Sequence, residues 1–558
     1  MHIPNEAQRT HGNLKIAICL YFVFMAFANA RVLGQVVDRK GKEEISITSS
    51  YKPSIVKSGK LEFRASPPQK DTAGYRFKYP TTKFLFKTPI SSLSVKPLSY
   101  QAEQKPRKGA DYFAKLGYGN LQNPFVSMGL NGYSDKQQFT VDLGHVSAKG
   151  KEADQAYSNS HIITSLQQIL ASGNAIDVGI GFSHDSYNLF GFDHNSYALP
   201  EQDIKQQFSN AHAKVAMSSV SGIDGMFFIH PELRFDYLMA SRKTTEALFS
   251  FKAPYSLKLS SSLSLNGDLS VKSVQLNKDD KRIDALALVN LPVKLDFNAE
   301  SFKVNAGIIP SLQRNKISVL PDLSFSYDFP NTGLQFFAEL TNALELNSLH
   351  QLYLQNPYII FPDSVTIMRK TGYRAGFGLH TSKGLEVRVK TGIVHFKNMP
   401  LFINSGVGGK DQKVLNETGL TAVNLDATLS YKISDAFSLG SDLKLYSFQD
   451  QNLYDKAYGI IPLDLNFRMD WHLFSRVGIR FKTMMWRGPR AASPGKPDSK
   501  LDDAADISLG VDFKLNKKWA LWSDLNNIAN TKYQRWNQYP SFGFNMVAGI
   551  RYSFNQKD

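Results

Sequence analysis

The C-terminal stretch KYQRWNQYPSFGFNMVAGIRYSF, residues 532–554, decides the fold because its apolar residues recur at every second position. One parity reads Phe542, Phe544, Met546, Ala548, Ile550, Tyr552 and Phe554. The other parity reads Gly543, Asn545, Val547, Gly549, Arg551 and Ser553. Successive side chains of a strand point to opposite faces, so this period predicts a β-strand with one apolar and one mostly polar face.

The same alternation recurs along much of the chain. It is found in residues 247–259, 323–329, 385–393, 423–433 and 507–515. These runs exceed the usual strand length of about 5–6 residues, and most approach or pass the roughly 9–11 residues that a tilted strand needs to cross a bilayer. No stretch after residue 30 approaches the ~18 consecutive apolar residues of a membrane-spanning helix. The pattern therefore favours a membrane protein that crosses with strands.

The connections between the runs are an independent criterion. Short links alternate with longer ones, among them residues 347–370 and 397–419. Transmembrane barrels have short periplasmic turns and longer outer loops, and only a closed sheet leaves no backbone edge in lipid. The sequence predicts an all-β protein, a transmembrane antiparallel up-and-down β-barrel of about 22 strands. The short links are residues 134–136, 171–174, 221–225, 260–262, 299–301, 330–333, 382–384, 434–436, 475–476 and 516–518.

The two parities then face different media. The apolar parity would contact outer-membrane lipid and the polar parity a watery lumen, so little apolar core is expected inside the barrel. The lumen-facing candidates are Glu386, Arg388, Lys390, Asp426, Lys432, Asp506, Asp512, Lys514 and Arg551. The candidates for aromatic side chains at the membrane interfaces are Tyr533, Trp536, Tyr539, Tyr552 and Phe554.

The lumen-facing candidates carry both signs of charge. One interpretation is that they pair across strands and hydrate the interior. The alternative is a solute path whose mixed charge selects polar molecules. A uniformly positive wall would indicate an anion pore. The mixed charges of these candidates do not.

The N-terminal part is organised differently. Arg9 and Lys15 precede IAICLYFVFMAFA and the small-residue end ANA, which predicts a signal peptide over residues 1–30. Cys19, the one cysteine, lies inside it, so neither disulfides nor thiol chemistry are expected in the mature chain. Residues 31–108 hold 17 Lys and Arg against 6 Asp and Glu, a net charge of +11. Seven prolines between residues 53 and 106 predict extended pieces, periplasmic or lumenal. The barrel would span residues 109–554, with a polar tail at 555–558.

The stretch LWSDLNNIANTKYQRWNQYPSFGFNMVAGIRYSF, residues 521–554, resembles the C-terminal strands of TonB-dependent receptor barrels. It is similar to the Bacteroidota type in its Asn-rich strand end, its Lys-Tyr pair and its closing GIRYSF. EEISITSSYKPS, residues 43–54, resembles the start of the plug domain of that family, but residues 31–108 are too few for a whole plug. The resemblance implies a plugless receptor-type barrel in the outer membrane of a Gram-negative bacterium, and makes energisation by TonB doubtful.

Signals of catalysis are weak. The 12 histidines are scattered without paired ligand spacing. His184, Asp185, Asp193 and His194 bracket one outer loop and could hold a metal, although solvated loop residues are the simpler interpretation. SGVGGKD, residues 405–411, lacks the spacing of a phosphate-binding loop. We therefore expect no enzyme, no cofactor, no metal site and no nucleic-acid partner.

Two functions remain from the sequence. The barrel could admit a polar solute as a receptor-like transporter or pore. It could instead be a non-transporting scaffold whose residues 31–108 dock a periplasmic protein in envelope assembly or secretion. In either case a lumen this wide must be occluded. We predict that residues 31–108, the long loops at 347–370 and 397–419, or both, narrow it.

Overall fold

The structure, a computed structural model, describes residues 112–219, 227–314, 316–406 and 408–554. The expectations for the signal peptide, for residues 31–108 and for the tail lie outside these residues. The first wall strands are β1 (Tyr112–Gly119), β2 (Pro124–Tyr133), β3 (Gln137–Lys149), β4 (Ala156–Ile169), β5 (Asn174–Asn188), β6 (Lys205–Ser219), β7 (Phe227–Ile229), β8 (Glu232–Ala240), β9 (Thr244–Lys258), β10 (Leu263–Lys278), β11 (Lys281–Asn290) and β12 (Val293–Asn298). The remaining wall strands are β13 (Phe302–Gln313), β14 (Lys316–Asp328), β15 (Leu334–Asn347), β16 (Thr366–His380), β17 (Leu385–Lys397), β20 (Leu420–Ser434), β21 (Phe437–Gln451), β22 (Leu463–Leu473), β23 (Val477–Trp486), β26 (Ala504–Lys514), β27 (Trp519–Asn526) and β30 (Asn545–Phe554).

The wall is one closed antiparallel sheet. It contains 24 strand segments. β7 and β8 together form one wall strand against β9, and β11 and β12 form another against β13, so the 24 segments make 22 wall strands. β30 pairs with β1 from Tyr112↔Phe554 to Gly119↔Val547, which closes the sheet. The predicted antiparallel barrel of about 22 strands is confirmed.

The two ends of the barrel differ in their connections. Tight turns such as residues 134–136, 381–384 and 474–476 join strands at the end where β1 begins and β30 ends, called here the turn end. The long loops of the described residues lie at the opposite end, called the loop end, where shorter links such as residues 120–123, 241–243 and 279–280 also join strands. The six longest loops, which together form the loop cap, are residues 189–204, 348–365, 398–419, 452–462, 487–503 and 527–544.

The outer face of the wall is apolar. In β30, Met546 and Ile550 are 39% and 43% exposed, whereas Val547 on the other parity is 6% exposed. The same division holds in β14, where Leu323 and Phe325 are exposed. A barrel with a continuous apolar outer surface requires lipid around it, which is the arrangement that the alternating sequence predicts.

The loop cap carries short elements of its own. Its helices are α1 (Glu201–Ile204) and α2 (Leu349–Gln355). Its hairpins are β18 (Met399–Asn404) with β19 (Gln412–Glu417), β24 (Arg490–Ser493) with β25 (Lys496–Lys500), and β28 (Gln534–Trp536) with β29 (Tyr539–Pro540). Among the described residues, neither helix has the length and apolar character needed to cross a bilayer.

One tryptophan lies over the seam where the barrel closes. Gly549 of β30 is directly opposite Gly117 of β1, and the Trp522 ring covers this pair from the inside. Trp522 Nε1 donates to the carbonyl oxygens of Leu116 at 3.2 Å and Ile550 at 3.3 Å. The glycines are required here because any side chain would occupy the space of the indole or of the facing backbone.

Candidate functional site

The loop cap packs inside the loop end of the barrel around a buried apolar cluster, called here the cap core. Its members come from inward-facing wall positions and from the loops. The expectation of little apolar core inside the barrel is therefore wrong at the loop end. The cap core consists of Phe190, Phe208, Leu238, Val274, Leu276, Leu286, Leu288, Leu346, Leu349, Leu352, Tyr353, Ile359, Phe361, Val365, Ile367, Phe402, Trp536 and Tyr539.

Helix α2 is seated against the inner wall. The ring of Tyr353 stacks on Phe208 of β6, with ring centroids 4.1 Å apart and an interplanar angle of 10°. Gln206 Nε2 donates to the carbonyl oxygens of Pro357 at 2.6 Å and Ile359 at 3.1 Å. These contacts hold the loop of residues 348–365 against the inner wall at the barrel mouth.

A buried carboxylate anchors the start of α2. Glu246 of β9 is 1% exposed and accepts hydrogen bonds from the amides of Leu349 at 2.6 Å and His350 at 3.1 Å. Burial lowers the pKa of His350, which favours the uncharged imidazole within this seat. Because the first amides of a helix have no partner within the helix, a wall carboxylate at this position satisfies two of them.

Glu246→Ala is expected to loosen α2 without opening the barrel wall. Each amide left without an acceptor costs about 1–3 kcal/mol when it is buried. Hydrogen exchange at Leu349 and His350 should accelerate, with protease cleavage appearing in residues 348–365. Glu201→Ala, at an exposed carboxylate in another loop, is the matched control. Unchanged exchange in Glu246→Ala would contradict the anchoring role.

Aromatic contacts join the loops to one another. Tyr358 stacks on Tyr539, with ring centroids 3.7 Å apart, and Phe402 meets Trp536 at 4.9 Å. Arg535 lies over Trp536 at 3.8 Å and donates to the Gly459 carbonyl at 2.9 Å. Burial lowers the pKa of Arg535 to about 10. Four separate loops are therefore packed into one unit.

Below the cap, charged side chains on the inner wall form a first network. Arg374 of β16 pairs with Glu339 of β15 at 2.8 Å and with Asp426 of β20 at 3.8 Å. Lys390 of β17 reaches the same Glu339 at 3.4 Å. Arg388 lies over the Phe337 ring at 4.2 Å. The positive and negative charges on four neighbouring strands thus compensate one another.

A second network lies near the closing seam. Arg480 of β23 binds Asp512 of β26 and Asp524 of β27, the latter at 2.8 Å. Lys115 of β1 reaches Asp524 at 3.6 Å, and its ammonium lies 3.7 Å from the centre of the Trp522 ring. This network ties together strands on both sides of the seam.

The other lumen-facing candidates are dispersed. Glu386 lies 3.2 Å from His380, and Lys432 pairs with Asp435 in a tight turn at 2.7 Å. Asp506 accepts from the Tyr533 hydroxyl at 2.9 Å. Lys514 and Arg551 lie at the turn end without a described carboxylate in ion-pair range. The nine candidates therefore do not converge on one site.

The interface-aromatic candidates also separate into two groups. Tyr552 contacts Trp519 at 4.4 Å and Phe554 at 4.5 Å at the turn end, where Phe554 is 44% exposed. Trp536 and Tyr539 are instead buried in the cap core, which differs from an exposed position at a lipid interface. Tyr533 packs on Trp486 within the loop end.

The residues considered for a metal site point to different partners. His184 Nδ1 lies 2.8 Å from Ser209 Oγ, and His194 Nε2 lies 3.2 Å from a carboxylate oxygen of Asp154. Asp193 accepts from the Ser196 hydroxyl at 2.6 Å. In the described ranges, no group of three His, Cys, Asp or Glu side chains is arranged to hold a metal ion.

Several important side chains were missed in the sequence. Arg374 and Arg480 lie on the lumen parity of β16 and β23, and the period of two that identifies the other lumen-facing residues also identifies them. Glu246 and Glu417 leave no local signal, because most of their partners are backbone amides on loops far along the chain.

Comparison with solved structures places the fold. No protein-family model matches the sequence, and no curated protein matches it. The barrel is similar to a variant of the ferric enterobactin receptor PfeA from Pseudomonas aeruginosa, with a TM-score of 0.58, 12% identity and 80% of each chain covered. It is similar to the iron transporter FrpB from Neisseria meningitidis, with a TM-score of 0.62, 10% identity and 80% and 82% covered. The copper transporter OprC gives a TM-score of 0.61, 11% identity and 80% and 81% covered. The chain therefore has the closed 22-strand barrel fold of these outer-membrane receptors and transporters.

Proposed function

We propose that the chain is a plugless outer-membrane transporter or pore that admits a polar solute through a gated lumen, without a catalytic role and without energisation by TonB. The observation that carries the proposal is the charged inner wall, where Arg374, Lys390, Arg480 and their carboxylate partners line the space below the cap. Closely spaced charges of both signs can replace the water molecules around a polar solute, and they offer no such compensation to an apolar one. The fold neighbours named for iron and copper transport support a role in uptake.

The loop cap supplies the gate in this proposal. Its core is apolar and sealed by stacked aromatic rings, so the resting state is closed at the loop end. Short turns of such barrels face the periplasm, so the loop end faces outward and a solute meets the cap first. Passage requires displacement of the loop of residues 348–365.

A flux experiment tests the proposal directly. β15 and β16 remain paired up to Asn347↔Thr366, so residues 349–364 can be replaced by a short Gly-Ser turn without changing the wall register. In planar bilayers we expect the full chain to show a low resting conductance and the shortened form a large one. Proteoliposomes of the shortened form should take up small polar solutes. If the shortened barrel is folded yet conducts no ions and admits no solute, the proposal fails.

A second candidate rests on the basic segment of the sequence. A non-transporting scaffold would use residues 31–108, with their net charge of +11, to dock a periplasmic partner in envelope assembly or secretion. Affinity purification with and without this segment tests the idea. Retention of every co-purifying protein after its deletion would eliminate the scaffold function.

A further inference from the structure

Two neighbouring strands of the wall separate toward the loop end. β14 and β15 are paired from the turn that joins them up to Leu323↔Leu340, and among the described residues no pairing joins residues 316–322 of β14 to residues 341–347 of β15. Over these same residues β14 stays paired with β13, and β15 stays paired with β16. The two segments that face each other without pairing, residues 316–322 and 341–347, are called here the wall split.

A proline lies near the closed end of the wall split. In a continued register Pro321 would be opposite Asn342. Proline has no amide hydrogen, so position 321 cannot donate across the seam. A side chain replaces the backbone pair: Asn342 Nδ2 donates to the Pro321 carbonyl at 2.7 Å, and Asn342 Oδ1 accepts from the Thr371 hydroxyl at 2.6 Å. The sequence itself therefore favours the end of pairing at this height.

The upper part of the β15–β16 hairpin bends into the barrel, away from β14. Leu340 and Tyr373 are opposite each other on the lipid-facing parity, and Tyr373 is 51% exposed. Leu346 and Ile367 lie on the same parity of the same strands, yet they belong to the cap core. Because the register between these rows is unbroken, a bend and not a slip moves this face from the outside to the inside. The loop of residues 348–365 is the tip of this hairpin, so its displacement would also move one side of the wall split.

Part of the wall split lies at the depth of the bilayer. Counted from Asp328 at the turn end, the roughly 9–11 residues that cross a bilayer reach as far as Ser318. Val319, in the split, is 57% exposed, whereas Leu323 on the same parity in the paired part is 45% exposed. Backbone groups without partners are costly in hydrocarbon, so a wall that opens at this depth needs a polar group beside it.

An apolar groove of about 690 Å³, called here the outer groove, lies on the outer face directly below the wall split. It crosses the strands from β13 to β17, which at about 4.8 Å between strands makes it roughly 19 Å long. Ala338, Ala375 and Thr391 are opposite one another and give it a floor of small side chains. The bulkier Leu340 and Tyr373 form its rim toward the split. This length and volume suit an alkyl chain.

The first charged network lies on the lumen side of the same strands. Glu339 precedes Leu340 and Arg374 follows Tyr373, so each of these neighbouring pairs presents one apolar side chain outward and one charged side chain inward. Arg374 Nε is buried and has no acceptor among the described residues. Apolar and charged surfaces are therefore separated by the thickness of one strand just below the wall split.

We propose that the wall split is a lateral portal for an amphipathic solute, whose alkyl chain binds in the outer groove while its polar head passes through the split to the first charged network. The proposal rests on the proposed transport function and narrows its solute to a molecule with a polar head and an alkyl chain. A strand of a partner protein would pair with the split but leave the groove uncovered. An ordinary membrane lipid would fill the groove without using the split or the charged network.

A disulfide test measures the split itself, since the chain has no cysteine after Cys19. In Leu320→Cys with Ala343→Cys, a continued register would place the two thiols opposite each other, whereas an open split keeps them apart and unreacted. Asp328→Cys with Gln335→Cys, opposite each other in the paired part, is the matched control and should form the disulfide under the same oxidation. Complete crosslinking of both pairs would show a continuous wall and overturn the portal.

Binding is tested in proteoliposomes of the full chain with dodecylphosphocholine that carries a diazirine at the end of its alkyl chain. Illumination should label the peptides around Leu340 and Tyr373 at least about tenfold more than the lipid-facing residues of β26. Ala375→Phe fills the floor of the groove and should abolish this excess. Ala287→Phe adds the same ring on the exposed outer face of β11 and should preserve it.

Each outcome has a defined meaning. Equal labelling of the groove by a phospholipid with the same diazirine would show bulk lipid only and overturn the solute assignment. Disulfide-linked dimers of Val319→Cys in membranes would assign the split to a second copy of the chain and overturn the portal. If the barrel shortened at residues 349–364 conducts but the groove shows no excess label, the portal falls and transport stands. Excess label in a barrel that transports nothing leaves the groove as a binding site and removes the transport function.

Discussion

Gly549→Val is expected to prevent closure of the barrel and to leave no folded protein in the outer membrane. A Cβ at this position would lie 1.8 Å from the Leu116 carbonyl oxygen and 2.6 Å from the Cα of Gly117. Both atoms belong to the facing backbone of β1, so no side-chain rotation relieves the contact. The Trp522 ring, which lies over the Gly117–Gly549 pair, blocks movement toward the lumen.

The size of the effect follows from what an open seam exposes. Overpacking in an ordinary core costs about 1–3 kcal/mol. Here the displaced pair belongs to the eight-residue ladder of β1 and β30, and each backbone group left unpaired in hydrocarbon costs several kcal/mol. Valine itself favours strands, so any loss comes from the contact and not from propensity.

The matched control is Ala548→Val, one residue earlier, which introduces the same side chain on the lipid-facing parity. Membrane fractionation and the shift in gel mobility between unheated and heated samples report folded barrel. We expect normal folded barrel for Ala548→Val and little or none for Gly549→Val. Equal amounts from both variants would show that the seam tolerates a side chain, contrary to this structure.

The wall could be predicted from sequence because it depends on local periodicity. Alternation within each strand fixes which side chains meet lipid, and the succession of short and long links fixes the antiparallel order. The partner of β30 was not specified by any local pattern, since the pairing of Tyr112 with Phe554 joins residues more than four hundred positions apart.

The loop cap could not be predicted in the same way, although β17 contains a signal. Its lumen parity reads Glu386, Arg388 and Lys390 and then changes to Val394 and Phe396, which are 0% and 5% exposed. Apolar residues on the lumen parity near the loop end indicate that other apolar side chains pack against them there. The sequence does not identify the packing partner, because α2 has only seven residues and the residues that it contacts come from strands far along the chain.

Glu417→Ala is expected to release the loop of residues 452–462 from the cap. Glu417, at the end of β19, is 0% exposed and accepts from the amides of Gly419 at 3.0 Å, Asn452 at 3.2 Å, Leu453 at 3.2 Å and Tyr454 at 3.0 Å. A carboxylate that accepts hydrogen bonds from the amides of a second loop fixes the backbone of its own loop and of the second one. Loss of buried acceptors costs about 1–3 kcal/mol for each amide left unsatisfied.

Hydrogen exchange at Leu453 and Tyr454 measures the release, because the Asn452 amide also donates to the Gly419 carbonyl at 3.0 Å. With several amides affected, protection there should fall by at least about a hundredfold, which corresponds to roughly 3 kcal/mol. Asp455→Ala, at an exposed carboxylate in the same loop, should leave protection unchanged, and Glu417→Gln should lie between because one carbonyl oxygen remains. Ala457 and Tyr458 pack in a buried cluster with Leu401, so release of this loop also removes part of the seal and should raise the resting conductance. Normal protection in Glu417→Ala would mean that the other contacts of this loop hold it in place, and the carboxylate would then have no part in closing the lumen.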